Sequence, residues 1–258
     1  MPSWDPTTYL QFSDERSRPF FDLTAKIDVR SPNLVIDLGC GPGHLTAALA
    51  RRWPTAEVVG IDSSAEMIES ARGHRAERLT FEPGDIADWR PDVPVDVIVA
   101  NAALQWVPGH RSMLPRLVDA LAPGGWLAFQ VPGNFMAPSH VLLRELADDP
   151  RFDVLAKVQR PAAFDAAIYL ADLLALGCRV DAWETTCLHV LTGADPVYRW
   201  ISGTGARPVL QALAPDQRET FESEYKRGLR CAYPPQEFGT VLPFRRVFVV
   251  AQKLGVDS

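Results

Sequence analysis

Between Asn33 and Val131, short apolar runs alternate with segments whose apolar residues recur at helical spacing. The runs Leu34–Leu38, Val58–Asp62, Leu79–Glu82, Val95–Asn101 and Trp126–Val131 read as strands, and His44–Arg52, Ala65–Arg75 and Ser112–Leu121 as helices. That alternation is the signature of βαβ units around a parallel sheet. Pro123-Gly124-Gly125 predicts a sharp turn into the fifth strand. Upstream, Asp14–Ile27 reads as a helix with Ser13 as its cap. Downstream, the pattern predicts helices at Pro138–Asp148, Phe164–Leu176, Pro196–Gly203 and Pro215–Ala232, and long strands at Cys178–Leu191 and Val241–Leu254. Phe152–Ala163 fits no single element. The two late strands enclose an insertion of about fifty residues, longer than an ordinary connection and therefore expected to carry function.

These elements predict one domain over 1–258. It comprises an N-terminal lid helix (1–30), a ligand-binding core (31–135), helices and strand six (136–190), a helical cap insertion (191–240) and the last strand (241–258). Hydrophobic residues at 47% and charged residues at 22% fit an ordinary water-soluble domain. No run approaches the roughly 20 apolar residues of a membrane span, and the N-terminus carries no secretory pattern. Cys40, Cys178, Cys187 and Cys231 have no paired spacing, so reduced thiols and a cytoplasmic setting are expected. A net charge of −6 argues against a nucleic-acid partner. It also opposes any anionic ligand, which local cations must then hold.

The chemistry is concentrated at the ends of the early strands. Val35-Ile36-Asp37-Leu38-Gly39-Cys40-Gly41-Pro42-Gly43 is a buried strand running into a glycine loop and a helix, and glycines there admit positive φ and close ligand approach. The spacing differs from the Gly-x-Gly-x-x-Gly of dinucleotide folds. Asp62, ending the second strand, is placed to accept hydrogen bonds from ribose hydroxyls, although Asp62, Ser63 or Ser64 could equally cap the next helix. Asp85-Ile86 follows the third strand, where an Asp can reach an adenine amino group while an Ile packs on the ring, although Asp85 alone also reads as an ordinary turn residue. Asn101 ends the fourth strand near the centre of the sheet, where open α/β sheets bind ligands.

The run DLGCGPG, then GIDSS, GDI, NAALQW and LAPGG, closely resembles the class I, seven-stranded S-adenosylmethionine-dependent methyltransferases. The resemblance implies a Rossmann-like α/β fold with a seven-stranded mixed sheet, an N-terminal helix and a helical cap between the last two strands. It implies S-adenosylmethionine as methyl donor, held by Asp37, Gly39, Gly41, Asp62, Ser63, Asp85, Ile86 and Asn101. Further matches are similar to the branch of that family that esterifies trans-aconitate. They are the segment Trp4–Pro19, Asn101–Trp106, Pro138–Leu142, Trp183–Thr186 with His189, Trp200-Ile201 and Thr204–Pro208; Asp148–Ala163 has no match.

That second likeness implies carboxyl O-methylation of a small tricarboxylate, by a monomer or weak homodimer without nucleic acid or membrane. A carboxylate with a pKa near ~4 is already ionised at neutral pH. No general base, no catalytic side chain and no metal is then required, and proximity carries the rate. Arginine suits carboxylates through its planar fork, so Arg207, Arg246 and Arg16 are the candidate cations. Phe244-Arg245-Arg246 departs from an expected single Pro-Arg, and Arg246 is the favoured equivalent. Tyr9, Trp106, His140, His189, Trp200 and Tyr233 are the candidate aromatic and polar partners. A methyltransferase for another small acid or an acyl-carrier carboxylate, a nicotinamide oxidoreductase and a non-catalytic adenosylmethionine-binding protein are the alternatives. The oxidoreductase would need a third glycine at dinucleotide spacing and a Tyr-Lys or His pair, and neither is present.

Overall fold

The computed structural model describes residues 13–255. In the numbering used from here, the strands are β1 (Leu34–Leu38), β2 (Glu57–Asp62), β3 (Leu79–Pro83), β4 (Val95–Asn101), β5 (Leu121–Pro132), β6 (Cys178–Leu191) and β7 (Thr240–Lys253). The helices are α1 (Ser13–Thr24), α2 (His44–Arg52), α3 (Ala65–Ala71), α4 (Leu114–Asp119), α5 (Pro138–Ala147), α6 (Ala166–Ala175), α7 (Pro196–Ser202), α8 (Arg207–Ala212) and α9 (Pro215–Ala232). One sheet holds all seven strands in the order β3-β2-β1-β4-β5-β7-β6. The strands from β3 to β5 pair in parallel and β7 runs antiparallel to β5. Strand order reverses between β1 and β4, which opens a crevice at their carboxyl ends.

The chain divides into two compact units. A core unit comprises residues 13–132, 163–185 and 246–255, and a cap unit comprises 133–162 and 186–245. In the core unit the central strands are apolar on both faces, as buried parallel strands must be. Ile98, Ala100, Leu127 and Phe129 pack on one face with Leu114, Leu117, Tyr169 and Leu173 of α4 and α6. Val97, Val99, Trp126 and Ala128 pack on the other with Phe20, Leu23 and Leu49 of α1 and α2.

Several local expectations change. The predicted turn at Pro123-Gly124-Gly125 is a bulge inside β5 rather than a lead into it. Val95 pairs with Leu121 but Val97 with Trp126, so extra residues loop out with Gly124 at φ 78°. The helix predicted over Ser112–Leu121 is a 3-10 turn at His110–Met113 followed by the short α4. Ser13 lies within α1, not before it. Phe152–Ala163 begins in a 3-10 segment, Pro150–Lys157, and α8 was not anticipated.

In the cap unit α5 and α9 are joined by two phenols. Tyr225 Oη donates to the Ser139 carbonyl at 2.8 Å, and Tyr233 Oη accepts from the Ser139 N–H at 3.2 Å. Ser139 sits in the first turn of α5, where amides lack helical partners, so Tyr233 caps that turn. Tyr225 is buried beside Phe221, which packs edge-on against Phe152 at 5.1 Å. Tyr225→Phe should cost about 1–2 kcal/mol by leaving buried polar capacity unmet. A urea midpoint unchanged from wild type would show that this bond contributes nothing to the cap.

Candidate functional site

The glycine loop after β1 is built from three glycines with two different tasks. Gly39, Gly41 and Gly43 all have positive φ (79°, 55° and 84°). A Cβ at Gly39 would overlap Ala103 Cβ, and one at Gly43 would lie 2.8 Å from Ala71 Cβ and 2.9 Å from the Phe81 ring. Only at Gly41 would it meet open space. Gly39 and Gly43 are therefore packing glycines, and Gly41 is the position where a ligand can lie against the backbone.

Asp62 holds this loop. Its carboxylate accepts from Gly41 N at 2.9 Å and from Ser64 N at 2.9 Å. The capping alternative resolves on Ser64, the N-cap of α3, whose hydroxyl accepts from Met67 N at 3.3 Å. Burial pushes the Asp62 pKa up, while the backbone donors of Ser64, Gly41 and Ser63 pull it down. A carboxylate has about four lone-pair sites, more than these backbone donors fill, so capacity remains for a ribose hydroxyl. Ser63 is exposed beside it. Asp37, on β1, is buried and accepts from Thr46 Oγ1 at 2.6 Å. Burial, opposed by the Thr46 bond and reinforced by the nearby Asp62 charge, raises its pKa to about 7.

After β3, Asp85 is exposed and its carboxylate accepts from Ala87 N at 2.8 Å, fixing a tight turn. Ile86 is 9% exposed beneath it, and its carbonyl accepts from Arg116 Nη2 at 3.0 Å. At the end of β4 the chain turns through Ala102, a non-glycine at φ 53°, a strained conformation of the kind that collects at functional sites. Two buried acceptors flank it without hydrogen-bond partners, Asn101 Oδ1 and Gln105 Oε1. Gln105 Nε2 donates to the Ala102 carbonyl at 2.5 Å, so the atom left without a partner is its buried oxygen. These acceptors suit the cationic groups of S-adenosylmethionine, its ammonium and sulfonium. The chemistry of these residues is compatible with the methyl donor: Asp85 and Ile86 would meet an adenine, Asp62 a ribose, and Gly41, Asp37, Asn101 and Gln105 the methionine end.

Of the residues expected at an acceptor, Trp106 and Arg246 belong to the core unit. Trp106 is half-buried in the 3-10 turn after β4. Arg246 is 5% exposed in β7, and its Nη1 donates to Gln130 Oε1 at 3.4 Å. Its neighbour Arg245 is half-buried and donates to the Gly133 carbonyl at 3.0 Å. His140, His189, Trp200, Arg207 and Tyr233 belong to the cap unit. His140 is buried, its Nδ1 3.2 Å from Ser139 Oγ and its Nε2 against the Gly205 backbone. Burial and Arg144 lower its pKa to about 4, so it is neutral at pH 7. His189 lies over Trp200 at 4.6 Å, with Phe244 at 5.8 Å from Trp200. Arg207 opens α8, half-buried, and Tyr233 caps α5. Tyr9 and the Arg16 side chain lie outside the described residues.

Gln105, beside Ala102, and Gln130, which faces Arg246, are not singled out by the sequence. The only signal in the chain was a glutamine inside the apolar run Leu127–Val131 and another just past a strand end.

Residues 35–125 match the family model of a methyltransferase domain. The trans-aconitate 2-methyltransferase of Streptomyces avermitilis is 52% identical over 263 residues, covering 98% of each chain. That of Mycobacterium tuberculosis is 47% identical over 260 residues, covering 96% of each. Among solved structures, a chain of the complex between the Haloferax volcanii Trm112 methyltransferase activator and a putative methyltransferase aligns with a TM-score of 0.62. Its sequence identity is 18%, with 98% of this chain and 96% of that one covered, which is a likeness of fold. A glycine loop with its acidic partners, a switch-point crevice and near full-length identity to such relatives lead to one assignment: the chain belongs to the trans-aconitate 2-methyltransferase family of class I S-adenosylmethionine-dependent methyltransferases.

Proposed function

We propose that this protein transfers the methyl group of S-adenosylmethionine to a carboxylate of trans-aconitate, giving a monomethyl ester and S-adenosylhomocysteine. The near full-length likeness to relatives of that name carries the reading. The bound donor supplies a methyl group on a sulfonium leaving group. The chain's own part is to bind both reactants, orient them in line and exclude water. An ionised carboxylate oxygen needs no proton removed before it attacks, and orientation of this kind recovers roughly 7–11 kcal/mol of barrier. No catalytic acid, base or metal enters the reading.

For the acceptor, Arg207 and Arg246 are the proposed cations, with Arg16 as a third. Trp106, Tyr9, His140, His189, Trp200 and Tyr233 are proposed as its aromatic and polar surroundings. With a net charge of −6, the mean field of the protein repels a tricarboxylate, and fixed guanidinium groups must overcome it. Action in the cytoplasm, as a monomer or weak homodimer, belongs to the same proposal.

Labelled methyl transfer tests the reaction. Trans-aconitate should yield a base-labile labelled ester with a higher kcat/KM than citrate or cis-aconitate. Preference for another acid would change the acceptor, and no ester from any of them would reject carboxyl methylation. Arg207→Ala should raise the trans-aconitate KM at least tenfold, about 1.4 kcal/mol, with donor affinity held within twofold. An unchanged KM would remove Arg207 from the site.

The loop glycines separate donor binding from folding. Gly41→Val should weaken adenosylhomocysteine binding by more than tenfold with a modest loss of thermal stability. Gly43→Ala should mainly lower the melting temperature, because its new methyl meets Ala71 and Phe81. Equal effects of the two on binding would refute the division.

The Asp37 carboxyl makes donor binding pH-dependent. Its folded pKa of about 7 lies above the usual 3.8, so the proton is held more tightly in the folded chain. That contribution to stability is complete below pH 3.8 and is lost as pH rises to about 7. The ionised form is the one that pairs with a ligand ammonium, so adenosylhomocysteine affinity should rise between about pH 5.5 and 8 with proton release. Calorimetry in buffers of different ionisation heat reads that release, and Asp37→Asn should abolish it.

A further inference from the structure

Gln130 is fully buried near the carboxyl end of β5 in an apolar stretch, a costly place for an amide. It pairs with Asn101 of β4 on one side and Phe248 of β7 on the other. Because alternate residues of a strand share a face, Asp37, Asn101, Gln130 and Arg246 all lie on the face that carries Val97, Val99, Ala128 and Phe248. They form a polar row that steps across the carboxyl edge of the parallel strands.

The orientation of the Gln130 amide is decided by its neighbour. A guanidinium can only donate, so the group facing Arg246 Nη1 at 3.4 Å is the carboxamide oxygen. Its nitrogen must then point away, and that buried Nε2 has no hydrogen-bond partner. Asn101 Oδ1 on the adjacent strand is also unsatisfied, so the two amides do not complete each other. A buried donor left without an acceptor costs about 1–3 kcal/mol, a penalty that a ligand acceptor would remove.

From this geometry we infer that Gln130 is a specificity-determining residue that donates from Nε2 to a carboxylate oxygen of the acceptor beside the Arg246 guanidinium. The inference rests on the proposed carboxyl methylation and adds a residue to it. A carboxylate is the ligand class because the row presents donors here, from Gln130 and Arg246, whereas the unsatisfied oxygens of Asn101 and Gln105 lie at the end of β4. Gln130 also braces Arg246 through its oxygen, so the amide fixes the guanidinium and supplies a second, uncharged donor next to it.

Gln130→Met, close in shape but without the amide, and Gln130→Glu, which sets a carboxylate against Arg246, test this. Steady-state kinetics with trans-aconitate would be read together with calorimetric binding of trans-aconitate and of adenosylhomocysteine. Gln130→Met should raise KM for trans-aconitate about ten- to a hundredfold, and Gln130→Glu should raise it further. Adenosylhomocysteine affinity should stay within twofold in both. Unchanged KM in an active Gln130→Met, or a lowered melting temperature with KM unchanged, would show Gln130 to be structural. Loss of adenosylhomocysteine affinity in parallel with KM would place it at the donor instead, and also overturns the inference. A wild-type protein that neither esterifies nor binds trans-aconitate would reject the reaction itself, a different result from an active wild type with an indifferent variant.

Discussion

The contact between Gly39 and Ala103 sets the geometry on which the rest of the core unit depends. These residues follow β1 and β4, the two strands at which the sheet reverses its order. The Ala103 methyl comes so close that no side chain fits at position 39. On one side the loop must take positive φ, and on the other Ala102 accepts a left-handed conformation that alanine disfavours. The strain of about 1–3 kcal/mol usual for such a residue is held by packing and by the Ala102 N–H, which donates to the Gln130 carbonyl at 2.8 Å. Gly41, between the two packing glycines, faces open space, and the buried oxygens of Asn101 and Gln105 on either side of Ala102 have no hydrogen-bond partner.

Electrostatics then follow from burial. Asp37 and Asp62 are two carboxylates near one loop, and each is raised in pKa mainly by desolvation. They differ in what compensates them. Asp62 has backbone amides aimed at it and acts as a strap between the loop and β2. Asp37 has a single hydroxyl, from Thr46, and so retains a proton near neutrality. In the proposed reading, the ammonium of the bound donor would supply the second partner that Thr46 alone does not.

Much of this arrangement was legible in the chain. Parallel strands buried on both faces read as continuous apolar runs, and β1 and β4 fall where those runs place them. The glycine loop and Asp62 stood out in company with Asp85-Ile86 and Asn101, because four such features fall in order at the carboxyl ends of successive strands. What escaped depends on contacts between distant segments. Only neighbours in space distinguish the packing glycines from Gly41. The choice of cap among Asp62, Ser63 and Ser64 is settled by which side chain meets the Met67 amide, and that is Ser64. The bulge in β5 is invisible to a pattern that treats Pro-Gly-Gly as a stop. Gln130 looked like one polar letter in an apolar strand, because its meaning lies in Arg246, 116 positions away.

The unsatisfied amides sort by sign, and the sorting matches the charges of the two reactants. Gln105 is oriented by a donor contact to a backbone carbonyl, so its free atom is an acceptor. Gln130 is oriented by an arginine, so its free atom is a donor. An acceptor attracts the positive donor molecule and repels a carboxylate, whereas an N–H does the reverse. Neutral dipoles fixed in a poorly solvated site need little reorganisation as charge moves from carboxylate to sulfonium. Methyl transfer joins an anion to a cation and ends with both neutralised at the reacting atoms. A site made only of charged groups would therefore bind reactants at the expense of the transition state. Oriented amides hold each partner with less of that penalty, and they distinguish the two ends of the reaction where the net charge of the protein cannot.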